Sequence, residues 1–150
     1  MEPRPKTNHI GLNRSVFDEV KKEFFEYCDI HEEAEELARI EEDVVESSLH
    51  VSDGFEMTKN LENRGWCGSS ELVEICDTFL MKRFVAYRMM LAQWSLDCGI
   101  VMDKNIGDKI IYRNEEYYII SKNESSKIYG ISTDNNSKSG FPLEAEKLKQ

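Results

Sequence analysis

The chain has 150 residues, 40% hydrophobic and 32% charged, with a net charge of −10. That balance is globular rather than disordered, and the length suffices for one domain with a real core. No apolar run is long enough to span a membrane, and the excess of carboxylates opposes direct contact with nucleic acid. Cys28, Cys67, Cys76 and Cys98 form no CxxC pair, which argues against a zinc ribbon. The polar N-terminus lacks a signal-peptide core, so a cytoplasmic chain with free thiols is expected.

Residues 1–12 carry two prolines, a glycine and no periodicity, and read as a flexible arm. Ser15, with Asp18 three residues on, predicts a helix start. Phe17, Val20, Phe24 and Cys28 then share one face. A second helix is expected over Glu32–Ser48, with Ile30, Ala34, Leu37, Ile40, Val44 and Val45 as its apolar stripe. Residues 49–69 read as a long connection with room for one short element. Ser69 or Ser70 caps the longest helix, which runs to about Asp97, with Gly99 just past its end. Its main stripe is Leu72, Cys76, Phe79, Leu80, Tyr87, Met90, Leu91 and Trp94. Met81, Val85, Ala92 and Leu96 form a second stripe, which predicts a central helix covered from both sides.

After Ile106 the texture becomes Ile- and Tyr-rich, with turn residues at Asn114 and at 123–126. Three short antiparallel strands over 106–132 are expected, packed on a helix or a partner. Residues 133–140 read as a polar loop, and Pro142 as the first turn of a terminal helix. The expected fold is α+β in one domain. A helical part (13–99) surrounds the long central helix of about 70–97. A small three-stranded meander (106–132) follows, then a polar loop and short helix (133–150).

Charge is concentrated in one place. Residues 31–46 hold eight acids and only Arg39 as a base, so they supply −7 of the net charge. On a helical projection Glu32, Glu35, Glu36, Glu42, Asp43 and Glu46 point away from the apolar stripe. They form either a solvated face or a surface that binds a partner. Glu32–Glu36 and Glu42–Glu46 are like-charge pairs at i,i+4, each costing roughly 0.2–0.5 kcal/mol, and only Glu35–Arg39 is a favourable pairing. Glu33 and Glu41 fall on the stripe's side. Arg83 lies within the main stripe of the long helix, and a buried arginine asks for a carboxylate such as Glu33 or Glu41.

The spacing of Glu32, Glu33 and Glu36, with Glu74 and Asp77 of "ELVEICD", resembles the all-α nucleoside-triphosphate pyrophosphohydrolases of the MazG and dimeric dUTPase type. The resemblance covers residues 31–98. It implies a magnesium ion held by Glu33, Glu36, Glu74 and Asp77 on two antiparallel helices, and cleavage between the α and β phosphates. Met81 stands where that family carries a further acid, and the strand region has no counterpart in it.

Other motifs are weaker. "GWCGSS" at 65–70 places Cys67 before a helix start, but no base is placed beside it in sequence, so Trp66 anchoring a loop on the core is the simpler reading. The same stretch lacks the lysine of a phosphate-binding loop. His9, His31 and His50 are too scattered for a metal site. The tyrosines and lysines of the meander fit ordinary strand packing better than base stacking.

Two functions of different class follow. One is a small acidic, non-enzymatic protein-binding module, of the kind found among viral or mobile-element inhibitors of host machinery. Its carboxylates would stand in for phosphates on the basic groove of a nuclease, polymerase or restriction complex. It needs no cofactor and touches neither nucleic acid nor membrane directly, and a homodimer is compatible with it. The other is the magnesium-dependent pyrophosphohydrolase.

Overall fold

In the structure, a computed structural model that describes residues 2–29 and 34–148, the first helix begins before Ser15. Helix α1 spans Ile10–Tyr27. His9 is its N-cap, with extended backbone and with Nδ1 accepting from the Leu12 N–H at 3.1 Å. Asn13 Nδ2 donates to the carbonyls of Thr7 and His9, both at 2.8 Å, and ties the preceding turn to the helix. A histidine ring nitrogen thus serves where sequence preference favoured a hydroxyl. Phe17, Val20 and Phe24 are buried as the periodicity predicts, and Cys28 is half-buried just past the end.

Helix α2 spans Ala34–Ser48. Its buried apolar residues are Ile40, Val44 and Val45, while Leu37 is half-buried and Ala34 exposed. Ile30, His31, Glu32 and Glu33 lie outside the described residues. Helix α3, Gly54–Glu62, is the one short element within the expected connection. Asp53 caps it by accepting from the Glu56 N–H at 2.8 Å, and Met57 and Leu61 are fully buried. Gly54 is required by close approach: a Cβ there would lie 2.6 Å from the Val73 carbonyl oxygen and overlap the Asp77 carboxylate.

Helix α4, Ser70–Asp97, matches the sequence reading at both ends. Ser69 Oγ accepts from the Leu72 N–H at 3.1 Å. Gly99 takes a positive φ of 64°, and the Ile100 N–H returns to the Ser95 carbonyl at 2.8 Å, closing the helix. Leu72, Cys76, Phe79, Leu91 and Trp94 of the main stripe are buried. The second stripe is not covered: Met81 is 70% exposed, Val85 55% and Leu96 76%. No described helix is long and apolar enough to cross a membrane.

The sheet has four antiparallel strands rather than three, in the order β1 (Lys109–Tyr112), β2 (Glu115–Asn123), β3 (Ile128–Ser132), β4 (Phe141–Glu144). Arg113 and Asn114 both have positive φ, 51° and 67°, and make the two-residue turn that joins β1 to β2. A bulge interrupts β2 between Ile119 and Ser121. Pro142 lies in β4, opposite Gly130, not in a helix. An edge strand tolerates proline because one side of its backbone has no ladder to supply. The helix that follows is a single 3-10 turn, Ala145–Leu148.

The chain divides into two compact units: residues 5–89, and residues up to Arg4 together with 90 onward. The helical unit has its core in Val16, Phe24, Val44, Leu61, Leu72 and Phe79. The other unit has its core in Leu91, Ile119, Tyr129, Ile131 and Leu143. Arg4, in the stretch expected to be a flexible arm, is bound within this second unit. It donates to Glu146 from Nε at 2.8 Å and from Nη2 at 2.6 Å, and to the carbonyls of Ser126 and Lys127. Its guanidinium also lies 5.3 Å from the centre of the Trp94 ring.

Candidate functional site

The acidic helix splits into carboxylates that the fold neutralises and carboxylates that it leaves in water. Asp43 projects away from the apolar stripe of α2, yet it is only 8% exposed. The cause lies in another element. After α3 the chain reverses at Gly65, whose φ is 94°, and the Trp66 N–H returns to the Leu61 carbonyl at 3.1 Å. That turn sets the Trp66 ring edge-on to Phe24, 6.2 Å between centres, and carries Arg64 beside α2. Trp66 Nε1 donates to Asp43 Oδ2 at 2.9 Å and Arg64 Nη1 to Asp43 Oδ1 at 3.0 Å. Arg64 Nη2 also donates to Glu46. The hydrogen bond to Asp43 is the chief reason the Arg64 pKa is raised, with burial opposing and Glu46 adding to it.

Asp43 therefore leaves the outward set, and Glu46 is a shared partner of Arg64. Glu35, Glu36 and Glu42 remain exposed and make no hydrogen bond or ion pair among the described residues. The favourable Glu35–Arg39 pairing is not formed among the described ion pairs. Glu32 lies outside the described residues.

Beside this face is a hollow of about 340 Å³, lined by Tyr27, Cys28, Glu36, Arg39, Ile40, Asp43, Trp66 and Cys67. The Tyr27 hydroxyl is held in place by two contacts. It bonds the Cys67 carbonyl and, at 2.8 Å, Ser69 Oγ. Burial, and then the charge of Asp43, push the Cys28 thiol up to about 11, so it is a poor nucleophile. The thiol of Cys67 is exposed and has no histidine partner among the described residues.

Arg83 is buried as expected, but its partners are neutral. Nη2 donates to the Val51 carbonyl at 2.8 Å, and Nη1 to Asn13 Oδ1 at 3.2 Å and to the Ser48 carbonyl. Ser48 is the last residue of α2, so the cation sits at the negative end of that helix. Burial lowers the pKa of Arg83 from its ordinary value. Glu41 is not its partner. It is half-buried and lines a separate hollow with Arg14 and Arg64. Glu33 lies outside the described residues.

Of the expected magnesium ligands, Glu36, Glu74 and Asp77 are described and Glu33 is not. Glu74 and Asp77 are exposed, and Asp77 Oδ1 accepts from the Gly54 N–H at 2.7 Å at the start of α3. Among the described residues no three His, Cys, Asp or Glu side chains are placed to hold a metal ion. Glu36, Glu74 and Asp77 form no such group of three. The residues that shape this site and that the sequence did not assign to it are Tyr27, Arg64 and Trp66. One signal was present: an arginine and a tryptophan flank Gly65, in the loop where Trp66 was expected to anchor. Comparison with family models, curated proteins and solved structures gives no match for this chain.

Proposed function

We propose that this is a non-enzymatic binding module that presents the outer carboxylates of α2 to a basic surface on another protein. One observation carries the reading. Glu35, Glu36 and Glu42 are exposed without a counter-ion among the described residues, whereas Asp43 and Glu46 of the same helix are paired with Arg64. A folded chain gains little by holding unpaired like charges on one face, and a cationic partner would relieve them. The matching surface is a groove that ordinarily takes phosphates, because a row of carboxylates reproduces that field.

The test is displacement of labelled duplex DNA from a panel of basic DNA-binding proteins by this chain, with capture from the source cell in parallel. Glu35→Lys, Glu36→Lys and Glu42→Lys together should abolish displacement and capture while the circular dichroism spectrum stays that of the wild type. Asp43→Lys should instead unfold the Arg64–Trp66 cluster. Undiminished binding by the triple variant overturns the reading. So does turnover of any nucleoside triphosphate in the presence of magnesium.

A further inference from the structure

The uncovered face of α4 has a pattern of its own. On a projection of 100° per residue the buried Arg83 marks the inward side. Met81, Val85 and Arg88 fall opposite it, with Phe84 and Met89 on the flanks. Met81 and Met89 are each 70% exposed, Phe84 58% and Val85 55%. Single exposed apolar side chains are ordinary, but four large ones within nine residues of one helix form a patch of the kind that marks an interface.

Glu74, Met81 and Arg88 are spaced by seven, so they drift only about 20° per step and lie along one line. The order along that line is acid, methionine, base. Neither Glu74 nor Arg88 makes an ion pair among the described residues, and Arg88 rests over the Phe84 ring at 5.4 Å. No acidic residue lies between Asp77 and Arg88. Such a line is complementary to its own reverse. A two-fold axis through Met81 sets a second α4 antiparallel to the first, with Glu74 of each copy against Arg88 of the other. Met81 meets Met81 at the axis, and Phe84 meets Thr78. The paired stretch is about 21 Å long.

We propose that this face of α4 is the contact of a symmetric homodimer, the partner being a second copy of this chain. A two-fold interface uses the same patch on both subunits, so each charge pair is made twice. The experiment is size-exclusion chromatography with light scattering on the full chain at tens of micromolar. The wild type should run as a dimer. Met81→Asp and Val85→Asp should each yield monomer. Arg88→Glu and Glu74→Arg should each weaken the dimer about tenfold, because two attractions become repulsions. The combined Glu74→Arg, Arg88→Glu variant restores opposite charges across the axis and should recover wild-type affinity. A monomeric wild type overturns the proposal. So do Met81→Asp and Val85→Asp variants that remain dimeric, or a double variant as weak as either single one. A wild type that is monomeric but captures a different protein through this face also overturns it.

Discussion

Replacing Arg83 by methionine tests the account of the helical unit most directly. Methionine keeps much of the apolar stem and removes the guanidinium. The carbonyls of Ser48 and Val51 then lose their donor inside the protein. A stranded buried carbonyl costs about 1–3 kcal/mol. Asn13 Oδ1 keeps Ser48 Oγ within reach at 2.9 Å, although that hydroxyl's one proton is shared with the Val45 carbonyl at 2.7 Å. Relief from burying the cation, the same burial that lowers its pKa, returns part of the loss. The net cost should be about 2–4 kcal/mol. For a unit of this size that is a fall of about 10–25 °C in midpoint. Exchange of a buried ion pair for hydrophobic residues is often harmless because both charges leave. Here the acceptors are backbone atoms and cannot leave. The assay is urea unfolding of Trp94→Phe protein, in which Trp66 alone reports. Arg83→Lys, which offers one ammonium to two carbonyls, should fall between wild type and methionine. An Arg83→Met cost under about 0.5 kcal/mol would refute the assignment of those carbonyls as dependent on Arg83.

Three further outcomes are expected. Burial, the largest single influence, raises the Glu146 carboxyl, but the hydrogen bonds from Arg4, a backbone hydrogen bond and the charges of Arg4 and Lys147 together outweigh it and leave the pKa below its ordinary 4.5. That stabilisation is present above pH 4.5 and lost as the pH falls below it. Trp94 emission in a Trp66→Phe background should therefore report acid loosening that Arg4→Gln abolishes; identical acid profiles for the two would count against the bridge. With a thiol reagent near neutral pH, Cys67 should label first and Cys28 and Cys76 slowly, since burial pushes the latter two up to about 11. Asp43→Asn should speed the labelling of Cys28, and an unchanged rate would exclude the carboxylate's influence. Gly54→Ala should destabilise the helical unit by about 1–3 kcal/mol in the same urea assay, because its methyl group meets Val73 and Asp77; a neutral result would contradict the close approach of α3 to α4.

The α+β order, the extent of α4 and the first three strands follow from sequence because each is set by neighbours in the chain. Ser69 and Gly99 bracket α4 through hydrogen bonds spanning three to five residues. The turn at Arg113 and Asn114 fixes the first hairpin in the same local way. The presence of a concentrated acidic helix was legible for that reason too. Which of its acids face water was not. Asp43 is buried only because a loop twenty-one residues later folds Arg64 onto it, and Arg83 takes carbonyls of Ser48 and Val51 rather than a glutamate. β4 likewise exists only through β3, since Phe141–Glu144 has no local pattern that says strand. A helical projection divides a helix into faces. Only the packing of distant segments decides which face another part of the chain covers, and on α2 and α4 that decision separates buried structural residues from those left in water.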